Sequence, residues 1–150
     1  MNVSRLLGLL LCASFFASCE QDEPTDYLQI QWRFYSSRVL VLGNQAACNY
    51  QVKPADMDFE PSASCQDDDV YDFSNGKDLV IYNGAKQCTS TEPATVTKAY
   101  ERRGDKLTIG GQEYTIVRLT KDTLTVSYCA PLASATGYTQ GKVGMKLVRK

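Results

Sequence analysis

The chain has 150 residues, 16 of them basic and 17 acidic, with no histidine and a formal net charge of −1. That length fits one domain, able to bury about two-thirds of the surface its unfolded chain exposes. The near-balance of scattered charges lacks the basic footprint of a nucleic-acid binder, so no nucleic-acid partner is expected.

The first segment pairs one charge at Arg5 with an apolar run from Leu6 to Phe16 and the small residues Ala17 and Ser18. This is the layout of a secretory leader, and the apolar run is too short to span a bilayer core of roughly 30 Å. The leader ends in a cysteine. Phe16-Ala17-Ser18-Cys19 resembles the bacterial lipobox, in which the cysteine thiol is acylated and the residues before it are removed. Residues 1 to 18 are therefore expected to be a lipoprotein signal peptide and Cys19 the lipidation site; the alternative is an ordinary secretory leader with an accidental cysteine. Two or more acyl chains anchor stably where one holds marginally, so the membrane partner would be reached through lipid without a span. Residues 19 to 26 read as a lipidated tether, with Glu20-Gln21-Asp22-Glu23 similar to an acidic export tag for surface lipoproteins, or simply solvated. The expected location is the outer membrane, on its cell-surface or periplasmic face. Loss of the leader takes Arg5 with it and leaves a net charge of −2 on 132 residues.

From residue 27 onward the signal has period two. Leu28, Ile30, Trp32 and Phe34 alternate with polar neighbours, which predicts a strand with one apolar face. Val39 to Leu42 extends it or forms a second piece, and residues 43 to 64 read as a long connection with a short helical turn at most. Val70 to Phe73 and Leu79 to Tyr82 flank Asn75-Gly76, a strong hairpin signal. Further strands are predicted over 95–101, 106–109, 113–119, 124–128 and 142–148, separated by short Gly- and Asp-containing turns. About eight strands in a meander favour closure, because a barrel removes exposed edges. The expected fold is all-β: an antiparallel up-and-down β-barrel of about eight strands over residues 27 to 150.

Cys65 to Phe73, Asn75-Gly76, Cys88, Leu107-Thr108-Ile109, Tyr114-Thr115-Ile116 and Leu119 to Leu124 together resemble the bacterial lipocalin-like lipoprotein family. The resemblance covers residues 26 to 150 and is firmest from 65 to 128. It implies a barrel in a periplasmic or surface setting, with Trp32 on the first strand plugging the barrel floor. It transfers no biochemical activity.

Of six cysteines, Cys12 leaves with the leader and Cys19 is taken by lipid, so Cys48, Cys65, Cys88 and Cys129 remain. An even number in an oxidising compartment implies two disulfides, with three connectivities possible. Hairpin symmetry selects one: Cys65 lies ten residues before Asn75 and Cys88 twelve after Gly76, which predicts Cys65–Cys88. Cys48–Cys129 follows by elimination. Asp67-Asp68-Asp69 with Asp72 could hold a hard cation, but no calcium-loop pattern surrounds them and an acidic, solvated turn is the plainer reading; no metal site is expected. Arg103-Gly104-Asp105 spells an adhesion tripeptide at a place where Gly and Asp are ordinary turn residues.

Nucleophilic catalysis usually needs a histidine base, which is missing, and no motif selects a carboxylate pair, so neither an enzyme nor a cofactor is expected. Nine tyrosines and Trp32 could line a cavity or fill a core. The expected role is binding of a small hydrophobic or amphipathic ligand in the barrel mouth, by residues the sequence does not single out. The alternative is a structural or interaction subunit of a cell-envelope complex. A cavity of roughly 300 Å³ or more would favour the ligand, and a filled interior with an exposed apolar patch would favour the partner.

Overall fold

The structure is a computed structural model and describes residues 26–43, 45–61, 63–135 and 137–150. The expected leader, Cys19 and the start of the tether lie outside the described residues. Eight antiparallel strands, each paired with its neighbour in sequence, close when the last meets the first. They are β1 (Gln31–Gly43), β2 (Val70–Asp72), β3 (Asp78–Tyr82), β4 (Thr95–Arg103), β5 (Lys106–Ile109), β6 (Gln112–Leu119), β7 (Thr123–Ser134) and β8 (Gly137–Arg149). Among the described residues helix is confined to the β1–β2 connection, as α1 (Gln45–Cys48) and a 3-10 turn at Pro54–Met57.

Alternation puts the apolar set inside. Trp32, Phe34, Phe73, Leu79, Leu107, Leu124, Val126 and Leu147 form one buried cluster, while Arg33, Glu101, Lys106 and Glu113 stay exposed. A barrel that spans a membrane has the opposite alternation, with its apolar side chains turned out.

The first strand begins three residues later than the alternation predicts. The Asp26 carboxylate accepts the backbone N–H of Leu28 at 3.1 Å and its carbonyl accepts that of Gln29 at 2.8 Å, so residues 26 to 30 form a turn instead. That turn tucks Leu28 beneath the barrel, fully buried, and Ile30 packs at its edge. At the far end β7 and β8 run well beyond the predicted limits and pair continuously from Thr123↔Val148 to Ser134↔Gly137. Pro131, Thr139 and Gln140 break the apolar alternation there, and pairing of Gly43 with Gln140 holds the extension in place.

The β2–β3 hairpin turns where Asn75-Gly76 indicates, but the connection is wider than the dipeptide. Asp72↔Val80 is its last pair, and the Asn75 carboxamide oxygen accepts the N–H groups of Lys77 and Asp78 at 2.8 and 2.7 Å. A side chain thus supplies what a tight backbone turn would have closed.

With β1 leaving the floor, the β2–β3, β4–β5 and β6–β7 turns and both ends of the described barrel sit at the floor. The β1–β2, β3–β4, β5–β6 and β7–β8 connections sit at the mouth. The β1–β2 connection then folds back along the outside. Met145 faces the interior, so Gly144 faces out, and a Cβ added there would meet Met57 Sδ at 2.9 Å. Arg38 stacks over the Phe59 ring at 5.0 Å and donates to the Asp56 carbonyl at 3.1 Å, fixing this strap against β1.

Candidate functional site

Inside the barrel, above the core, lies a cavity of about 210 Å³. Phe34, Leu79, Ile81, Leu107, Val126 and Met145 supply apolar wall. Inward positions on β2, β6 and β7 add Tyr71, Tyr114 and Tyr128, and Ser37, Gln66 and Lys98 supply its other polar lining. Lys98 lies on β4 before that strand's pairing with β5 begins at Tyr100↔Ile109, and it stays exposed, which places it at the mouth.

The tyrosines divide into two kinds. Tyr100 packs edge-on to Phe73, with ring centroids 5.0 Å apart, and donates its hydroxyl to the Phe73 carbonyl at 3.1 Å. That is a core residue with its polar tip satisfied. Tyr114 and Tyr128 contact each other, centroids 4.9 Å apart, and neither they nor Tyr71 make a side-chain hydrogen bond among the described residues. Burial raises all three phenol pKa values, with smaller contributions for Tyr71 from Asp69 and for Tyr71 and Tyr114 from neighbouring tyrosines. Higher pKa keeps the phenols protonated at neutral pH. The cavity therefore presents three neutral donors in an apolar wall, and buried donors of this kind ordinarily find a partner.

Gln66 reaches the cavity from the turn that carries the acidic run. Its neighbours are not simply solvated, as the plainer reading had it. Asp69 is buried and accepts the Gly84 N–H at 2.9 Å; Asp68 accepts the Lys86 N–H at 3.1 Å; Asp67 pairs with the Lys86 ammonium at 2.8 Å. Asp72 accepts the Gln31 carboxamide at 2.7 Å and the Ser74 N–H at 2.9 Å. Asp67, Asp68 and Asp69 thus fasten one mouth loop to another while Asp72 bonds at the floor, and a Cβ at Gly84 would overlap the Asp68 carboxylate and force it to move. Among the described residues no three His, Cys, Asp or Glu side chains are gathered to hold a metal ion.

The four cysteines of the described chain stand in two pairs. Cys65 and Cys88 have Cα atoms 5.0 Å apart, across the two mouth loops, and Cys48 and Cys129 have theirs 5.4 Å apart, joining α1 to the outer face of β7. The β2–β3 register, extended outward, would set Cys65 opposite residue 87, one position from Cys88. Arg103-Gly104-Asp105 forms the β4–β5 turn at the floor, with Arg103 held by Glu101 at 2.8 Å. The sequence left the ligand-binding residues open; the tyrosine trio comes from three strands, and no local pattern singles it out from the other tyrosines.

Comparison with protein-family models, with curated proteins and with solved structures finds no match to this chain.

Proposed function

We propose that this protein is a lipid-anchored, extracytoplasmic lipocalin-like lipoprotein that binds one small amphipathic molecule within its barrel, by binding rather than catalysis. The observation that carries the reading is the trio Tyr71, Tyr114 and Tyr128, whose protonated hydroxyls lack partners among the described residues and face a cavity whose other polar lining is Ser37, Gln66 and Lys98. An apolar wall with a few convergent donors is what a small-molecule site requires. The volume of about 210 Å³ does not reach the roughly 300 Å³ that would by itself favour a ligand, so the reading rests on the phenol donors and restricts the ligand body to a single ring or a short chain. Its acceptor atoms meet the phenols, and a polar or anionic end can lie at the mouth beside Gln66 and Lys98.

Anchoring through Cys19 would also set the orientation. Six residues lie between Cys19 and Asp26, a reach of at most about 25 Å, and Asp26 is paired with Arg102 at the floor. The mouth would then face away from the bilayer.

Native mass spectrometry of protein purified from an envelope fraction tests both parts. The expected result is an N-terminal Cys19 carrying acyl chains and a retained small organic mass. Tyr128→Phe should weaken that ligand about five- to tenfold, the usual effect of losing one hydrogen bond. An empty barrel whose stability Val126→Phe improves would overturn the ligand; an unmodified Cys19 would overturn the anchor.

A second reading, a subunit of an envelope complex, draws on the exposed Val39, Leu42 and Tyr138, which lie along the mouth-side parts of β1 and β8. Co-purification of a stoichiometric protein with an empty barrel would favour it.

A further inference from the structure

We propose a second binding site, on the outside of the barrel, for a hydroxyl-rich monocarboxylate of the sugar-acid class. It rests on the cleft between the strap segment 48–54 and the outer face of β5 to β8, and is independent of the interior cavity. The cleft measures about 630 Å³, three times the volume inside the barrel.

Strand register builds its floor. Lys106 pairs with Thr115, Thr115 with Ser127, and Cys129, two residues along β7, with Lys142. Leu107, Tyr114, Val126 and Tyr128 line the interior, so by alternation Lys106, Thr115 and Ser127 point outward, on one face. Neighbouring strands lie about 4.8 Å apart, which lets the two lysine side chains converge over the hydroxyls between them.

Two observations point to a ligand. Ser127 is only 2% exposed, lines the cleft, and its hydroxyl makes no hydrogen bond among the described residues. A buried hydroxyl open to a cleft is placed to donate to, or accept from, something within it. Lys106 and Lys142 meet only neutral partners: the Thr115 hydroxyl at 3.1 Å and the Cys48 carbonyl at 3.3 Å. Among the described residues no carboxylate lies within ion-pair distance of either ammonium, and each retains donors beyond its one contact. Burial, and then the charge of Lys106, lowers the pKa of Lys142, the condition an anion would relieve.

The lining also selects among anions. Asn49, Gln51, Thr115 and Ser127 offer amide and hydroxyl groups suited to several ligand hydroxyls, and Tyr50 supplies ring surface. Asp105 on the rim disfavours a dianion such as phosphate.

The test uses the purified protein with its cysteine pairs intact, titrated with glucuronate, glucose or inorganic phosphate and followed by amide NMR shifts. Glucuronate should move the resonances of Lys106, Thr115, Ser127 and Lys142, with an affinity that falls as salt rises. Lys106→Met should weaken binding about tenfold while Lys106→Arg retains most of it, and Ser127→Ala should weaken it without altering thermal unfolding. Unmoved resonances at millimolar glucuronate, glucose binding as tightly, or phosphate binding more tightly would overturn the proposal.

Discussion

The indole N–H of Trp32 donates to the carbonyl of Leu28 at 3.2 Å, and neither residue is exposed at all. The bond joins the first strand to the turn beneath it and satisfies the one polar atom of the largest side chain in the core. Removing the ring deletes both its packing and that closure of the floor. Trp32→Ala should destabilise by about 3–5 kcal/mol, and Trp32→Phe, which keeps a ring but leaves the Leu28 carbonyl one donor short, by about 1–3 kcal/mol. Equilibrium denaturation measures both; a Trp32→Ala protein as stable as the parent would show that the floor is not closed by this residue.

Non-reducing peptide mapping should return Cys65–Cys88 and Cys48–Cys129 peptides. Loop-closure entropy predicts that replacing the first pair by alanine costs about 3 kcal/mol and the second, which closes a much longer loop, about 4 kcal/mol. A Cys48–Cys65 peptide would contradict the proximity of the two mouth loops.

Asp69 gives the stability a pH dependence. Its carboxyl pKa is raised, chiefly by burial and then by the charges of Glu92, Asp68 and Asp67, against the lowering effect of the Gly84 N–H. A raised folded pKa means that the folded state binds the proton more tightly than the unfolded state. This contribution is full below the ordinary carboxylate pKa and is lost as pH rises through the folded value. Asp69→Asn keeps an acceptor for Gly84 and removes the charge, so at pH 7 it should unfold at a higher temperature than the parent. The gap should close on acidification below the ordinary carboxylate range; a gap independent of pH would assign the effect to packing.

Thr125, near the start of β7, is 1% exposed and its hydroxyl has no hydrogen-bond partner among the described residues. Thr125→Val keeps the branched shape and removes the unsatisfied oxygen. It should stabilise by about 1 kcal/mol in urea unfolding. A loss of stability of that size would mean that the hydroxyl is bonded, for instance to water.

Much of the barrel was legible because strand alternation is local: each of Leu107, Ile109 and Val126 declares its face through its own neighbours, whatever lies across the sheet. The start of β1 was misread because Leu28 keeps the strand rhythm while the Asp26 carboxylate bends the backbone out of it. The reach of β7 and β8 was not legible because Thr139, Gln140 and Gly141 carry no apolar alternation; they become strand by pairing with Leu132, Pro131 and Ala130 of β7, and Gln140 and Gly141 pair also with β1, about a hundred residues earlier. Cys65 and Cys88 could be matched from sequence because a hairpin relates them by symmetry. The cavity and the outer cleft could not be found that way. Tyr71, Tyr114 and Tyr128 meet only when three strands curve around one space, and Lys106, Ser127 and Lys142 converge only through the register of four strands beneath a folded strap. Periodicity thus determined which side of the sheet each residue takes, because that depends on adjacent peptides alone. Closure and register decided which residues share a site, because those depend on contacts between parts of the chain that no local pattern relates.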